Sequence, residues 1–417
     1  MRSSLLLAAI LLASPALAQP GIDPKVQARI DRILKATPLV DGHNDLPEQL
    51  RDHYRMSIEG LASGGKLRRP QPLMTDMARL RAGRVGGQLW SVWITGTITG
   101  DEAIRTTIEQ IDIARRLIDA YPQYLTLAST ADDMVRIHRS GRIASMLGIE
   151  GGRQIGGSLA ALRQFYNLGA RYMTLAHNQT TEWADSSTEN PRHDGISAFG
   201  EQVIGEMNRL GMLVDVSHVS PDAMKDAIRI TRAPVIFSHS SARALTDHPR
   251  NVPDDVLRLM PANGGVVMVT FVPRFVSMES FQKHAARIGE EARLKALHPG
   301  SSTLVEAGLE RWDAANPVAL VTVAMVADHV EHVARVAGHD HVGIGGDFDG
   351  ITTTVEGLDG VEDYPLLFAE LIRRGWSDAD LAKLAGGNFL RALRRAEAVA
   401  RAMAPIPPTM DRLPSAP

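Results

Sequence analysis

No cysteine occurs among the 417 residues. That excludes disulfides and thiolate metal sites, so any metal must be held by imidazole and carboxylate. A dominant charge is lacking too. The 45 Lys and Arg against 48 Asp and Glu leave a formal net charge of −3, with no long run of either sign. A basic face for nucleic acid is therefore not indicated. After Ala18 no apolar stretch is long enough to span a bilayer. The Pro-rich end, Pro405–Pro417, lacks the hydrophobic tail of a GPI signal, so no stable membrane anchor is expected. Internal repeats and low-complexity domains are also missing. What remains is an ordinary globular balance, 44% hydrophobic and 22% charged, enough to bury a large core without staples.

The first residues form a separate unit. Arg2 supplies a positive start, Leu5–Ala13 is apolar but too short to cross a membrane, and Ala16-Leu17-Ala18 fits a small-x-small cleavage site. Residues 1–18 are thus expected to be a signal peptide, with Gln19 first in the mature chain. The mature protein is expected to be soluble, in the periplasm or outside the cell. Residues 19–404 are expected to form one catalytic domain and 405–417 a Pro-rich tail.

Eight short runs rich in Val, Ile, Leu and Met read as strands: Pro38–Asp45, Gly86–Ile94, Ile143–Glu150, Ala170–His177, Met212–His218, Pro234–His239, Gly265–Phe271 and His341–Asp347. Near-continuous apolar runs suit parallel strands buried on both faces. Between them Asp101–Ala120, Ser158–Leu168, Ile196–Leu210, Pro221–Thr231 and Val318–Ala337 have helical spacing, and Asp378–Met403 reads as a final helix capped by Ser377. Alternating strand and helix with eight strands predicts a (β/α)8 TIM barrel. Two segments exceed a simple barrel, His53–Arg84 after the first strand and Pro273–Pro317 after the seventh. Loops of that length are usually lids or binding elements.

Acids and histidines fall at the strand ends. The first strand ends in Asp41-Gly42-His43-Asn44-Asp45, the third in Gly148-Ile149-Glu150-Gly151-Gly152 and the fourth in His177. The fifth ends in Asp215-Val216-Ser217-His218, the sixth in Ser238-His239-Ser240-Ser241, and the eighth in Gly345-Gly346-Asp347-Phe348-Asp349. In a TIM barrel these ends meet at one mouth. His43 and Asp45, at i and i+2 on a strand, would share a face and one cation. His218 and His239, from adjacent strands, could hold a second, with Glu150 giving an oxygen to each. Singly, each residue has an ordinary reading: Asp45 as a helix cap, Glu150 before two glycines as turn chemistry, Asp347 or Asp349 in an Asx-turn before Gly350. Six such residues at consistent strand ends do not. The other histidines, His248, His284 and His329 among them, lack this position and read as structural or solvated.

These motifs, with Phe237-Ser238-His239-Ser240-Ser241 and Arg250-Asn251-Val252-Pro253-Asp254-Asp255, resemble the membrane dipeptidase (renal dipeptidase) family, peptidase family M19, in order from about Pro38 to Arg394. The resemblance implies an amidohydrolase-like barrel with two Zn2+ per chain that cuts dipeptides through a metal-bridging hydroxide. By it, His43 and Asp45 ligate one zinc, His218 and His239 the other, and Glu150 bridges. His177 would steady the tetrahedral intermediate, Arg250 would bind the substrate carboxylate and Asp347 would handle the proton. The segment Trp183-Ala184-Asp185-Ser186 would line the site near His177. Animal members carry a GPI anchor and are disulfide-linked; this chain can have neither, so any homodimer would be non-covalent. The alternatives are another binuclear amidohydrolase acting on an N-acyl amino acid, a lactone or a phosphoester, or an inactive periplasmic binding protein.

Overall fold

The structure is a computed structural model that describes residues 21–67, 71–317 and 319–410. The expected signal peptide and residues 411–417 of the tail lie outside the described residues. Nine parallel strands run through the described chain: β1 Leu39–Asn44, β2 Val85–Trp93, β3 Leu125–Leu127, β4 Ile143–Glu150, β5 Ala170–Thr174, β6 Leu213–Asp215, β7 Val235–Phe237, β8 Val266–Val269 and β9 Val342–Ile344. Their order is β2-β1-β9-β8-β7-β6-β5-β4-β3, and a β2–β4 pairing closes eight of them into a ring. The closed eight-stranded barrel with surrounding helices is the predicted fold.

The ninth strand, β3, is the one the sequence did not suggest. It pairs with Ile143–Ser145 at the start of β4, whereas β5 pairs with Leu147–Glu150 further along. Two short strands therefore share one edge of β4. At three residues β3 is too short for its pattern to register.

Alternation along the strands sorts side chains into two cores. Outward residues such as Trp90, Val92, Leu147, Ile149, Val214 and Phe237 pack beneath the helices. Inward residues Val40, Leu89, Met146, Tyr172, Leu213, Ile236, Val266 and Met268 fill the barrel, which Phe389, Leu390 and Leu393 of the last helix also reach. Gly148 is needed here, because a Cβ would meet the Tyr172 ring at 1.8 Å. Barrels of this kind are packed, so chemistry is confined to the mouth.

Of the two long segments only the second is largely helical. The first, which begins in the last turn of helix Leu46–Tyr54, holds the helix Met77–Ala82, and the second holds Pro273–Val276, Met278–Leu297 and Ser302–Ala315. The predicted helix at Val318 begins at Val323 instead. The final helix is divided by a π-turn at Lys383–Gly387 between Asp378–Ala382 and Asn388–Met403. The Ser377 hydroxyl caps it by accepting from the Asp380 N–H. Among the described residues no helix is long and apolar enough to cross a membrane.

Candidate metal centre and substrate cleft

The inward alternation of β4, through Ala144, Met146 and Gly148, carries Glu150 into the mouth. Four imidazoles surround it. Its Oε2 lies 3.3 Å from His43 Nε2, and its Oε1 lies 3.1 Å from His218 Nε2, 3.5 Å from His239 Nε2 and 3.6 Å from His177 Nε2. Ser91, two residues beyond the inward Leu89 of β2, donates to Oε2 at 3.0 Å. Asp45 Oδ2 is 3.2 Å from His43 Nε2.

The structure brings these side chains together at one mouth, but not all of them from strand residues. Asp45 is not on β1: it occupies the N-cap position of helix Leu46–Tyr54, yet makes no side-chain cap bond. Its carboxylate turns to His43 instead. His177 and His218 lie three residues past the ends of β5 and β6, on turns rather than strands. His218, Asp347 and Asp349 have φ of 68°, 64° and 66°, a left-handed conformation uncommon for such residues and concentrated at functional sites. The following glycine, Gly350, keeps the mouth clear, because a Cβ there would sit 2.2 Å from Asp45 Oδ2 and 2.7 Å from Asp347 Oδ1.

The outer hydrogen bonds set the ring protons. Asn178 Oδ1, which can only accept, lies 3.2 Å from His218 Nδ1. Ser238 Oγ lies 2.8 Å from His239 Nδ1 and directs its own proton to Asp215 Oδ2 at 2.7 Å. Each ring therefore carries its proton on Nδ1 and presents a bare Nε2 to the site. The two bare nitrogens are 2.9 Å apart with no proton to share. Two lone pairs so placed call for a cation. Burial, reinforced by Arg250, holds both rings well below the ordinary imidazole pKa, in the neutral form that metals bind. His43 is the converse case. Burial lowers its pKa, but Asp45 and Glu150 together raise it well above the usual range. A positive charge is again what the surrounding carboxylates require.

Three sets of side chains bring their ligand atoms within 4.8 Å of one another: His43, Asp45 and Glu150; Glu150, His218 and His239; and His43, His239 and Asp347. These residues fit one or more metal ions, and Glu150 belongs to two of the sets. His177 differs in kind. The Trp93 indole N–H, 3.2 Å away, donates to its Nδ1, so the ring proton sits on Nε2 and points inward. His177 offers a donor where the others offer lone pairs. The expected flanking segment holds it in place, with Ser186 Oγ donating to the His177 carbonyl at 2.6 Å.

Above the centre opens a cleft of about 920 Å3 lined by Asn178, His248, Arg250, Arg274, Phe275 and His284, among others. Arg250 is 2% exposed and donates to Ser240 Oγ and the His239 carbonyl at 3.4 and 3.3 Å. A salt bridge to Asp247, Asp254 or Asp255 does not form: those carboxylates pair with Arg243, with His332 and with Lys225. Asp347 is 9% exposed. Burial pushes its pKa well above the carboxylate range, opposed by His43 and aided by Asp45 and Glu150.

Some residues at the mouth escaped the sequence reading. His248 and His284 also line the cleft, and His248 is structural as well, its Nδ1 accepting from the Arg250 N–H at 3.1 Å. Asp215 appeared as part of a motif, but not as the acceptor of four hydrogen bonds, from Thr174 Oγ1, Ser238 Oγ and the backbone N–H groups of Ser217 and Ser238. Glu48 faces the centre from one helical turn beyond Asp45. Burial, then Asp45 and Glu150, push its pKa up to about 9. The i, i+3 spacing was the available signal.

Comparison with known proteins agrees with this architecture. Residues 27–406 match the family described as membrane dipeptidase (peptidase family M19). The chain is 40% identical over 383 residues to dipeptidase verJ of Clonostachys rogersoniana, covering 89% of this chain and 87% of that protein. The probable dipeptidase PvdM from Pseudomonas aeruginosa superposes with a TM-score of 0.74 at 25% identity, over 90% of this chain and 99% of the other. A metallopeptidase from Rhodobacter sphaeroides, solved with a phosphinate mimic of the dipeptide L-Ala-D-Ala, shares the fold at a TM-score of 0.70 and 22% identity, over 87% and 99%. The match over nearly the whole chain, on a barrel whose mouth gathers metal-type ligands, places this protein in the membrane dipeptidase family, as a metallo-dipeptidase that hydrolyses peptide bonds.

Proposed function

We propose that this dipeptidase works with two zinc ions, one on His43 and Asp45, the other on His218 and His239, with Glu150 shared between them. The observation that carries the reading is the 2.9 Å approach of two imidazole nitrogens, neither of which has a proton to share. Imidazole and carboxylate without thiolate are normal zinc ligands. Bound there, two cations supply an acidified water and a Lewis-acid pull on the scissile carbonyl. The chain does the rest. His177 donates its Nε2 proton toward the carbonyl oxygen as charge develops on it. Asp347, poised by its raised pKa, takes a proton from the attacking water and hands it to the leaving amine. Arg250, buried and without a carboxylate partner among the described residues, turns its planar fork to the free carboxylate of the substrate.

The test pairs metal analysis with substrate choice. Purified protein is expected to carry two divalent ions per chain, to lose activity on chelation and to recover it with zinc. A dipeptide free acid is expected to be cut far better than its C-terminal amide. Arg250→Ala is expected to lose on the order of 2–5 kcal/mol in kcat/KM at unchanged metal content, the usual cost of breaking a buried charged pair. Equal cleavage of acid and amide by the wild type would remove Arg250 as the carboxylate reader.

A further inference from the structure

Arg274 sits in the one-turn helix Pro273–Val276, just past the end of β8, and lines two cavities at once. One is the cleft above the metal centre, about 920 Å3. The other is a side compartment of about 440 Å3 bordered by Lys283, His284, Arg287, Trp312 and Thr352. Among the described residues Arg274 has no hydrogen-bond or ion-pair partner. Its guanidinium carbon rests 5.0 Å from the Phe275 ring centroid. Apart from Arg250, the neighbouring Arg and Lys side chains are paired: Arg287 with Asp313 at 2.9 Å, Lys283 with Glu279 at 3.0 Å and Arg243 with Asp247 at 2.8 Å. Glu189, which also borders the cleft, is occupied by the Thr180 N–H at 2.6 Å. Arg274 is thus a mostly buried cation that faces open space with no anion of its own.

We infer that Arg274 reads a second anionic group, so that the preferred substrates are dipeptides whose C-terminal residue has an acidic side chain. The inference rests on the dipeptidase reading with Arg250 on the main-chain carboxylate. Arg250 approaches the same Phe275 ring, its guanidinium carbon 5.4 Å from the centroid. One aromatic ring therefore serves both cations, which sets an anion on Arg274 beside the carboxylate that Arg250 holds. Arg274 is also the outer of the two. Arg250 is 2% exposed, whereas Arg274 keeps part of its surface open to solvent. The order from metal to rim is scissile bond, main-chain carboxylate, side-chain carboxylate. A planar fork against a carboxylate discriminates sharply against the neutral amide of the same shape, since the amide offers one acceptor and misdirects two donors.

The experiment compares kcat/KM for Ala-Asp, Ala-Asn, Ala-Glu, Ala-Gln and Ala-Ala on the zinc-loaded enzyme. The wild type is expected to prefer each acid to its isosteric amide by on the order of 10- to 100-fold, chiefly through KM, as a charged hydrogen bond in a sheltered site would give. Arg274→Met should bring the acid-to-amide ratio to near unity, and Arg274→Lys should keep part of it. Metal content, measured on the same samples, reports that the variants are folded. A wild type indifferent to acid and amide, or an Arg274→Met variant that keeps the preference, overturns the inference while leaving the dipeptidase reading intact. Failure to cut any of the five dipeptides overturns both.

Discussion

Two levels of the same barrel differ in almost every physical respect. The inward side chains Leu89, Tyr172, Leu213, Ile236 and Met268 are apolar but for the Tyr172 hydroxyl, essentially unexposed and packed together. Two residues further along each strand stand Ser91, Thr174, Asp215, Ser238 and Thr270, equally buried and all polar. The lower level is what folding requires. The upper level costs stability, because buried polar groups are unfavourable unless paired. Several there are without a partner among the described residues, including His43 Nδ1, Asp45 Oδ1, Asp349 Oδ2 and Arg250 Nε. Left-handed backbone at His218, Asp347 and Asp349 adds strain at that level. One turn of alternation separates a core from a site, and the site is held in shape by the core beneath it.

The sharpest way to test that division is to strike each level once. Glu150→Gln at the upper level is expected to lower metal occupancy and reduce kcat/KM on the order of 10³-fold, since one charge serves both ligand sets. Its fold should survive. Ile236→Ala at the lower level is expected to cost about 2–5 kcal/mol of stability by cavity formation, with metal content and kcat of the folded fraction close to wild type. Calorimetry and metal analysis on both variants decide the matter. A Glu150→Gln enzyme with full metal content and rate would show that the levels are not divided in this way.

Asp215 sits on the boundary. It ties β5, β6 and β7 together through its four hydrogen bonds and fixes the Ser238 hydroxyl that sets the proton on His239. Asp215→Asn replaces an acceptor by a donor opposite other donors. Metal affinity is expected to fall about 10- to 100-fold, the usual effect of losing an outer partner of a ligand. Competition with a chelator of known affinity measures it. Unchanged affinity would mean that the backbone alone orients His239.

How far the sequence could be read follows the same line. β4 and Glu150 were legible because eight consecutive buried residues carry an unbroken pattern to the carboxylate. His239 was legible from the apolar run before it, although it lies two residues past the end of β7. Asp45, His177 and His218 were identified, but their backbone was misjudged, because turns past a strand end obey no period. β3 was missed because three residues carry no pattern. Arg274 stands outside the pattern of acids and histidines at strand ends, although it lies beyond the seventh predicted strand just as His218 lies beyond β6. The roles of Trp93 and Asn178 depend on contacts across the mouth, which no local pattern encodes.

The smallest predicted effect concerns how the upper level is supported from outside. His329, on the helix Val323–Ala337, is 1% exposed. Its Nδ1 accepts from the Ala242 N–H at 3.0 Å and its Nε2 donates to the Val276 carbonyl at 3.0 Å. Ala242 follows the metal-type ligand His239, and Val276 closes the turn that carries Arg274. One neutral imidazole thus joins two segments of the rim. Burial lowers its pKa from 6.5 to about 4, against the hydrogen bond to Val276, which raises it. In the unfolded chain the ring takes up a proton near pH 6.5, in the folded chain only near pH 4. Between those values the unfolded state binds more protons, so stability falls as pH falls. The loss is at most about 3 kcal/mol, complete once pH drops below the folded value. His329→Gln keeps an acceptor and a donor but cannot titrate. Urea unfolding of the metal-loaded proteins at pH 7 and at pH 4.5 is expected to show a smaller drop for the variant. Equal drops for variant and wild type would assign the acid sensitivity of the rim to other groups.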